Sequence, residues 1–255
     1  VFTLIDWHDT LHFEVRSDGR ITREDLTVAL PPDDLCTRAA HALQQAGGRS
    51  LGAHIGIAKR VPAQAGMGGG SSDAASTLLA LNRLWDLHLP LSQLLAIGLK
   101  LGADVPFFLS GRTAFVSGIG DIIQPLDSQQ LPPQTRFVVI KPEAGLDTKG
   151  IFSSPLLRRD SKHATIEDFA AAHYQFGSND LQPVAQALCP DVKKVIDFLE
   201  SKGLHARMTG SGSAVFAQMP YAVDLTDAPG AWQIKVCSNL NVHPLTGWAS
   251  DKNPG

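Results

Sequence analysis

The sequence is poor in the residues that would tie it to a metal, a membrane or nucleic acid. It holds three cysteines, Cys36, Cys189 and Cys237, far apart, with no CxxC pair and no histidines near them at metal-ligand spacing. They read as free thiols of a reducing compartment, and a cytoplasmic protein is expected. The nine histidines include no HExxH, which argues against a zinc hydrolase. A formal charge of −3 provides no broad positive field, so neither nucleic acid nor an anionic membrane is an expected partner. No apolar run approaches the length of a membrane span, and the first residues lack the basic-then-apolar profile of a signal peptide. Nothing in the sequence speaks to oligomeric state.

What is present is a chain of 255 residues, 44% hydrophobic, long enough for one large domain or two ordinary ones. It opens at Val1 rather than Met and already inside an apolar stretch, Val1 to Trp7, so a preceding segment is expected to be missing. Thr10 to Arg16 alternates polar and apolar residues, and Ser17, Asp18 and Gly19 supply turn chemistry before Ile21 to Leu30, which together predict a β-hairpin. Asp33 or Asp34 can cap a helix running to Gly47 and Gly48. Leu51 to Ile57 reads as a strand, and Asp73 to Leu87 as a helix. A further helix is expected from Ser92, its N-cap, to Leu101, with Gly102 as terminator and Pro106 preventing resumption. Arg112 to Val116 and Ile122 to Leu126 suggest strands joined through Gly118 and Gly120. The polar stretch Asp127 to Thr135 then reads as an interdomain connection, placing one domain at 1–130 and another at 131–255. Beyond it, a buried strand at Phe137 to Ile140, helices near Ile166 to Ala172 and Asp191 to Ser201, and a last strand at Trp232 to Val236 are expected. This mixed order, with hairpins near the start, favours α+β over a doubly wound parallel sheet.

The most informative segment lies between the strand at 51–57 and the helix that follows: Val61 to Ser72 reads VPAQAGMGGGSS. Phosphate binding needs backbone N–H groups aimed at one point, with no side chains in the way, at a helix N-terminus that favours negative charge. Gly66, Gly68, Gly69 and Gly70 meet those needs, and Ser71 and Ser72 add hydroxyls. The spacing is neither GxxxxGK[ST] nor GxGxxG. The bland alternative is a flexible linker. Asp104, alone between a helix stop and a proline-stiffened apolar run, suits a general base, but as a lone residue it reads more readily as an aspartate that caps the next turn or faces solvent. TGSGS at Thr209 to Ser213 suits close approach by a phosphate or by the first glycine loop, and also an ordinary turn. Trp85, Phe107 and Phe108 read as core. Phe152 follows Gly150 in a loop-like context.

KRVPAQAGMGGGSSDAASTLLALNRLW at 59–85, LGADVPFFLSGRTAFVSGIGD at 101–121, ND at Asn179 and Asp180, TGSGSAVFA at 209–217 and SNLNVHPL at 238–245 together resemble the GHMP kinases, collinearly and over nearly the whole chain. The resemblance implies a two-domain α+β fold, with a ribosomal-protein-S5-domain-2-like N-terminal domain and a ferredoxin-like C-terminal domain, and ATP and a small-molecule alcohol meeting between them. Within the family the pattern is most like the branch that phosphorylates the 2-hydroxyl of 4-diphosphocytidyl-2-C-methyl-D-erythritol in isoprenoid precursor synthesis. A homoserine- or mevalonate-kinase-like activity and a catalytically silent nucleotide-binding module are the alternatives.

Carried over by position, Pro62, Ala63, Gln64, Ala65, Gly66, Met67, Gly68, Gly69, Gly70, Ser71 and Ser72 form the ATP-phosphate loop and Asp104 is the catalytic aspartate. Thr209, Gly210, Ser211, Gly212 and Ser213 support the loop, while Thr148 and Phe152 face the substrate. Magnesium is implied with ATP, Ser72 being the candidate hydroxyl ligand. Lys59 either helps neutralise ATP or is an exposed lysine before a turn. The family also carries PAKxN and DGYH segments, with a lysine that acts in catalysis and a tyrosine and histidine that hold the cytosine. This sequence contains neither, so residues 1–255 taken alone are expected to bind ATP and turn over poorly. Ala63 to Ala65 replaces a stretch often richer in glycine, and Met219 to Gly230 reads as too short and proline-broken for the helix the family places there.

Overall fold

In the computed structural model, which describes residues 1–47 and 51–251, the alternating segment at the start does form two strands, but they do not pair with each other. Strands β1 (Leu4–Ile5), β2 (Thr10–Arg16) and β3 (Ile21–Asp25) lead into helix α1 (Leu35–Gly47), and β4 (Gly52–Ala58) then inserts between β2 and β3, antiparallel to the first and parallel to the second. The turn chemistry itself is as expected: the Arg20 N–H donates to the Asp18 carboxylate at 3.1 Å, and Gly19 takes a left-handed φ of 72°. What separates the arms is Gly52. A Cβ there would lie 2.7 Å from the Arg20 nitrogen, so the missing side chain lets the turn sit on β4, where Ala53 N–H bonds the Arg20 carbonyl at 3.0 Å.

Helices α2 (Gly69–Leu84), α3 (Leu91–Leu101) and α4 (Val105–Ser110) join α1 against this sheet. Leu43, Ile55, Ile57, Leu78, Leu81, Leu94 and Val105 are fully buried in the core they share. Asp34 caps α1, accepting from Cys36 N–H at 2.7 Å and Thr37 N–H at 3.2 Å. Gly48, read above as part of its stop, lies outside the described residues. Several helix boundaries differ from expectation. The second helix starts inside the glycine run, at Gly69 rather than Asp73, and ends at Leu84 rather than Leu87. Ser92 is not the cap of α3; its N–H and Oγ both engage Asp251 Oδ1 at 2.9 Å, so the acceptor arrives from the far end of the chain. Pro106 does not stop the helix but lies in the first turn of α4, where the N–H it lacks would have had no intrahelical partner.

A hairpin of β5 (Ala114–Ser117) and β6 (Ile122–Pro125) follows, then β7 (Arg136–Lys141), α5 (Thr148–Phe152), α6 (Ile166–Ala172), α7 (Gln182–Leu188), α8 (Pro190–Ser201), β8 (Ala206–Met208), β9 (Val215–Gln218) and β10 (Gln233–Leu240). The second sheet runs β1-β10-β7-β9-β8, every pair antiparallel. Its central strand is apolar from Phe137 to Ile140, where both faces are covered. Val138 and Ile140 pack with Val192, Val195 and Leu199 of α8, while Phe137 and Val139 pack with Ala65, Ala214 and Cys237. Residues 219–230 hold bends and turns with no helix, as their composition predicts.

The chain ends cross between the two cores. β1 belongs to the second sheet, and residues 241–251 return to α3 and α4. Gly111 O accepts from His243 N–H at 2.8 Å, and the Arg83 guanidinium lies 5.0 Å over the Trp248 ring. No helix among the described residues is long and apolar enough to cross a membrane.

Candidate active site

A cleft of about 1220 Å³ opens between the cores, larger than the roughly 300–1,000 Å³ of a single small-molecule site and so roomy enough for two ligands side by side. The first glycine loop, the Asp104 turn, the loop at 209–213, Thr148 and Phe152 all contribute to its wall.

The loop leaves β4 and ends in α2 with Gly66 and Gly68 left-handed, at φ 67° and 69°. Gly68 sits at the N-cap and no side chain caps the helix, so the amides of Gly69, Gly70 and Ser71, ahead of the first intrahelical bond of this 16-residue helix, have neither an intrahelical nor a side-chain acceptor. Of residues 62–72, Gly66, Met67, Gly68 and Ser71 line the cleft. Ala65 is buried against Phe137 and Val139, so this part of the loop anchors it to the second sheet. Gly69 and Gly70 belong to the first helical turn, as does Ser72, whose N–H bonds the Gly68 carbonyl at 2.9 Å. Ser72 is not on the cleft wall; the hydroxyl there is that of Ser71.

The TGSGS segment lies directly against this loop. Thr209 Oγ1 donates to Gly66 O at 3.2 Å, and the N–H groups of Ser213 and Ala214 donate to Gln64 O and Ala65 O at 3.3 and 3.2 Å. Approach is so close that a Cβ on Gly210 would stand 2.6 Å from Gly66 O. Thr209, Gly210 and Ser211 reach the cleft, whereas Ser213 is buried with its Oγ on Ala144 O at 2.6 Å. Ser211 Oγ shares a 3.0 Å hydrogen bond with Thr148 Oγ1. Asn179, noted in the sequence without a role, holds the segment from behind: its Nδ2 donates to Met208 O at 2.9 Å and Gly210 O at 2.8 Å. The context of Phe152 is helical, not loop-like, because Asp147 accepts from Lys149 and Gly150 N–H at 3.1 Å and nucleates α5. The Phe152 ring is half exposed at the cleft.

Asp104 stands between the extended Gly102 and the first turn of α4, and caps nothing with its side chain. Among the described residues its carboxylate has no hydrogen-bond or ion-pair partner. Burial alone pushes its pKa above the ordinary carboxylate value. A Cβ built on Gly68 would be 4.0 Å from Asp104 Oδ2, which puts the carboxylate beside the uncapped end of α2. An unpaired, partly desolvated carboxylate in a cleft is a group poised to take a proton.

Lys59 is neither exposed nor free to meet a ligand. Its ammonium is ion-paired with both Asp9 and Asp73, 2.7 Å from Asp73 Oδ2, and all three side chains are nine-tenths or more buried. Sequence reasoning missed this cluster because its members are distant along the chain. Burial pushes Asp73 up to about 6, a rise that Lys59 opposes and Asp9 adds to. A carboxyl raised in the folded state binds its proton more tightly there than in the unfolded chain. Its stability contribution is therefore full below the ordinary value of 3.8 and is lost as pH rises through about 6. Asp73→Asn is accordingly expected to melt close to wild type at pH 4 and above it at pH 8, the gap opening between those values. Thermal melts at one-unit intervals check this; a constant gap would show that Asp73 does not titrate there.

Comparison with known proteins agrees with this geometry. Residues 34–112 match the family described as GHMP kinases N terminal domain, and residues 156–228 match GHMP kinases C terminal. The chain is 66% identical over 253 residues to the 4-diphosphocytidyl-2-C-methyl-D-erythritol kinase of Paracidovorax citrulli strain AAC00-1, covering 99% of this chain and 89% of that one. It is 67% identical over 248 residues to the kinase of the same name from Acidovorax sp. strain JS42, covering 97% of this chain and 88% of that one. Among solved structures it resembles a crystal structure of 4-(cytidine 5'-diphospho)-2C-methyl-D-erythritol kinase, with a TM-score of 0.74 at 29% identity over 92% of this chain and 87% of that one.

Proposed function

The chain belongs to the GHMP kinase family, and we propose that it transfers the γ-phosphate of ATP to the 2-hydroxyl of 4-diphosphocytidyl-2-C-methyl-D-erythritol, a step in isoprenoid precursor synthesis. The observation that carries the reading is the pairing of an uncapped helix N-terminus with an unpartnered carboxylate on one cleft wall. The amides of the first turn of α2 and the positive end of its dipole receive the phosphates. Gly66 and Gly68 keep side chains out of their path, and Thr209 to Ser213 holds the loop from the far side. Asp104 accepts the proton of the attacking hydroxyl. Thr148 and Phe152 lie across the cleft, where a hydroxyl and an aromatic face suit a polyol and a cytosine.

ATP brings magnesium to this chemistry, and the ion when bound neutralises charge on the transferring group. Among the described residues no group of three or more His, Cys, Asp or Glu could hold a metal. Ser71, which lines the cleft where Ser72 does not, would be the hydroxyl offered to that ion. The three cysteines are unpaired and buried, in keeping with a cytoplasmic protein. We place the domain boundary between residues 130 and 131, between the two family-matched stretches.

The discriminating experiment measures ADP release with three alcohols, on the protein as its gene encodes it. The cytidylylated methylerythritol is expected to stimulate release at least 10²-fold over homoserine or mevalonate, because a site built to pair polar groups rejects substrates that leave them unpaired. Equal stimulation by all three would overturn the substrate assignment, and ATP binding without stimulation by any would mark a silent nucleotide-binding module.

A further inference from the structure

The buried cluster of Asp9, Lys59 and Asp73 lies beneath the phosphate loop and takes no part in the chemistry above. Asp9 belongs to the short link between β1 and β2. Its Oδ1 accepts two backbone N–H groups where the loop begins, Arg60 at 2.5 Å and Val61 at 2.8 Å, and its Oδ2 pairs with the Lys59 ammonium. The same ammonium reaches Asp73, in the first turns of α2, where the loop ends. Thr27 fixes Lys59 from outside: its Oγ1 accepts from Lys59 N–H at 2.8 Å and lies 3.1 Å from Lys59 O. Entry and exit of the glycine loop are thus joined through one lysine, whose Nζ would be 3.5 Å from a Cβ on Gly69.

We infer that Asp9 is a positioning residue for phosphoryl transfer, acting through Lys59 to set the spacing between Val61 and the first turn of α2 and hence the aim of the loop amides. The inference rests on the reading of the cleft given above. Stability alone explains the cluster poorly. Desolvating two carboxylates and an ammonium costs much of what their attraction returns, and apolar residues of similar volume often hold a core as well. What the ions add is direction, because each oxygen of Asp9 has a defined partner on the loop. Asp9 never faces the cleft, so its loss acts on phosphate geometry without touching the alcohol or Asp104.

The test compares wild type with Asp9→Ala and the isosteric Asp9→Asn. A non-hydrolysable ATP analogue is titrated calorimetrically, and ATP and alcohol are varied separately in steady state. Asp9→Ala is expected to weaken analogue binding and raise the KM for ATP by about 10-fold or more, with kcat at saturating ATP within about threefold and the KM for the alcohol unchanged. Asp9→Asn keeps an acceptor for the two N–H groups and loses the ion pair, so it falls between. If Asp9→Ala does not fold, Asp9→Asn carries the test alone. Unchanged ATP affinity in folded variants would overturn the inference by itself, as would equal changes in both KM values together with kcat, which mark general loosening. A wild-type protein that binds no analogue would remove the reading of the cleft and this inference with it.

Discussion

Asp104→Asn is expected to lower turnover by about 10²-fold or more while leaving affinity for an ATP analogue unchanged. The two halves of this result have separate causes. Nucleotide affinity comes from the amides of the loop and of α2, none of which Asp104 touches, whereas proton removal from the hydroxyl needs a carboxylate that asparagine cannot replace. Burial raises the pKa of Asp104, so holding it ionised costs stability as pH climbs through that raised value. Asn therefore removes a cost, and the variant is expected to melt above wild type at pH 8. Single-turnover quench measurements report the chemical step and calorimetry the affinity. A variant with near-normal single-turnover rate would remove Asp104 from the mechanism, and one melting below wild type would make it structural.

Gly66→Val is expected to weaken analogue binding by about 10²-fold and lower the melting temperature, because two penalties fall on one position. The left-handed φ of 67° costs a β-branched residue about 1–2 kcal/mol. Its Cβ would also collide with the Thr209 carbonyl and stand 2.6 Å from Gly212 N, both backbone atoms that cannot rotate away. The two loops must part, and the opening of the phosphate cradle follows. The core around Leu78 and Ile55 is remote from this contact and should still melt cooperatively, which separates a displaced loop from an unfolded chain. Wild-type affinity in a folded Gly66→Val protein would mean that contact between the loops does not shape the phosphate site.

What the sequence made legible was whatever is decided locally. Strand, glycine loop and helix could be read in order because periodicity and punctuation are properties of neighbouring residues, and β5 and β6 pair as the glycines between them suggest. The separation of β2 from β3 was not legible, because it depends on Gly52 accepting a turn 32 residues earlier in the chain. The acceptor beside Ser92 was hidden for the same reason, since Asp251 comes from 159 residues away. At the site, a lone aspartate between a helix stop and a proline has a bland reading stronger than its catalytic one, and only the family pattern lifted Asp104 above it. Ser72 and Ser71 could not be told apart until the helix was seen to begin at Gly69, which fixes the turn each occupies. The Lys59 cluster had no local signature, its carboxylates standing 50 and 14 residues from the lysine.

The claim that the cleft passes a phosphoryl group between two bound ligands is met most directly by 31P NMR. ATP, magnesium and the cytidylylated methylerythritol are incubated together with the protein as its gene encodes it. One new phosphomonoester resonance, coupled to the carbon that bears the 2-hydroxyl and growing in step with ADP while the substrate's diphosphate signals persist, is the predicted result. Inorganic phosphate growing in its place, or ADP formed at the same rate without the alcohol, would contradict it.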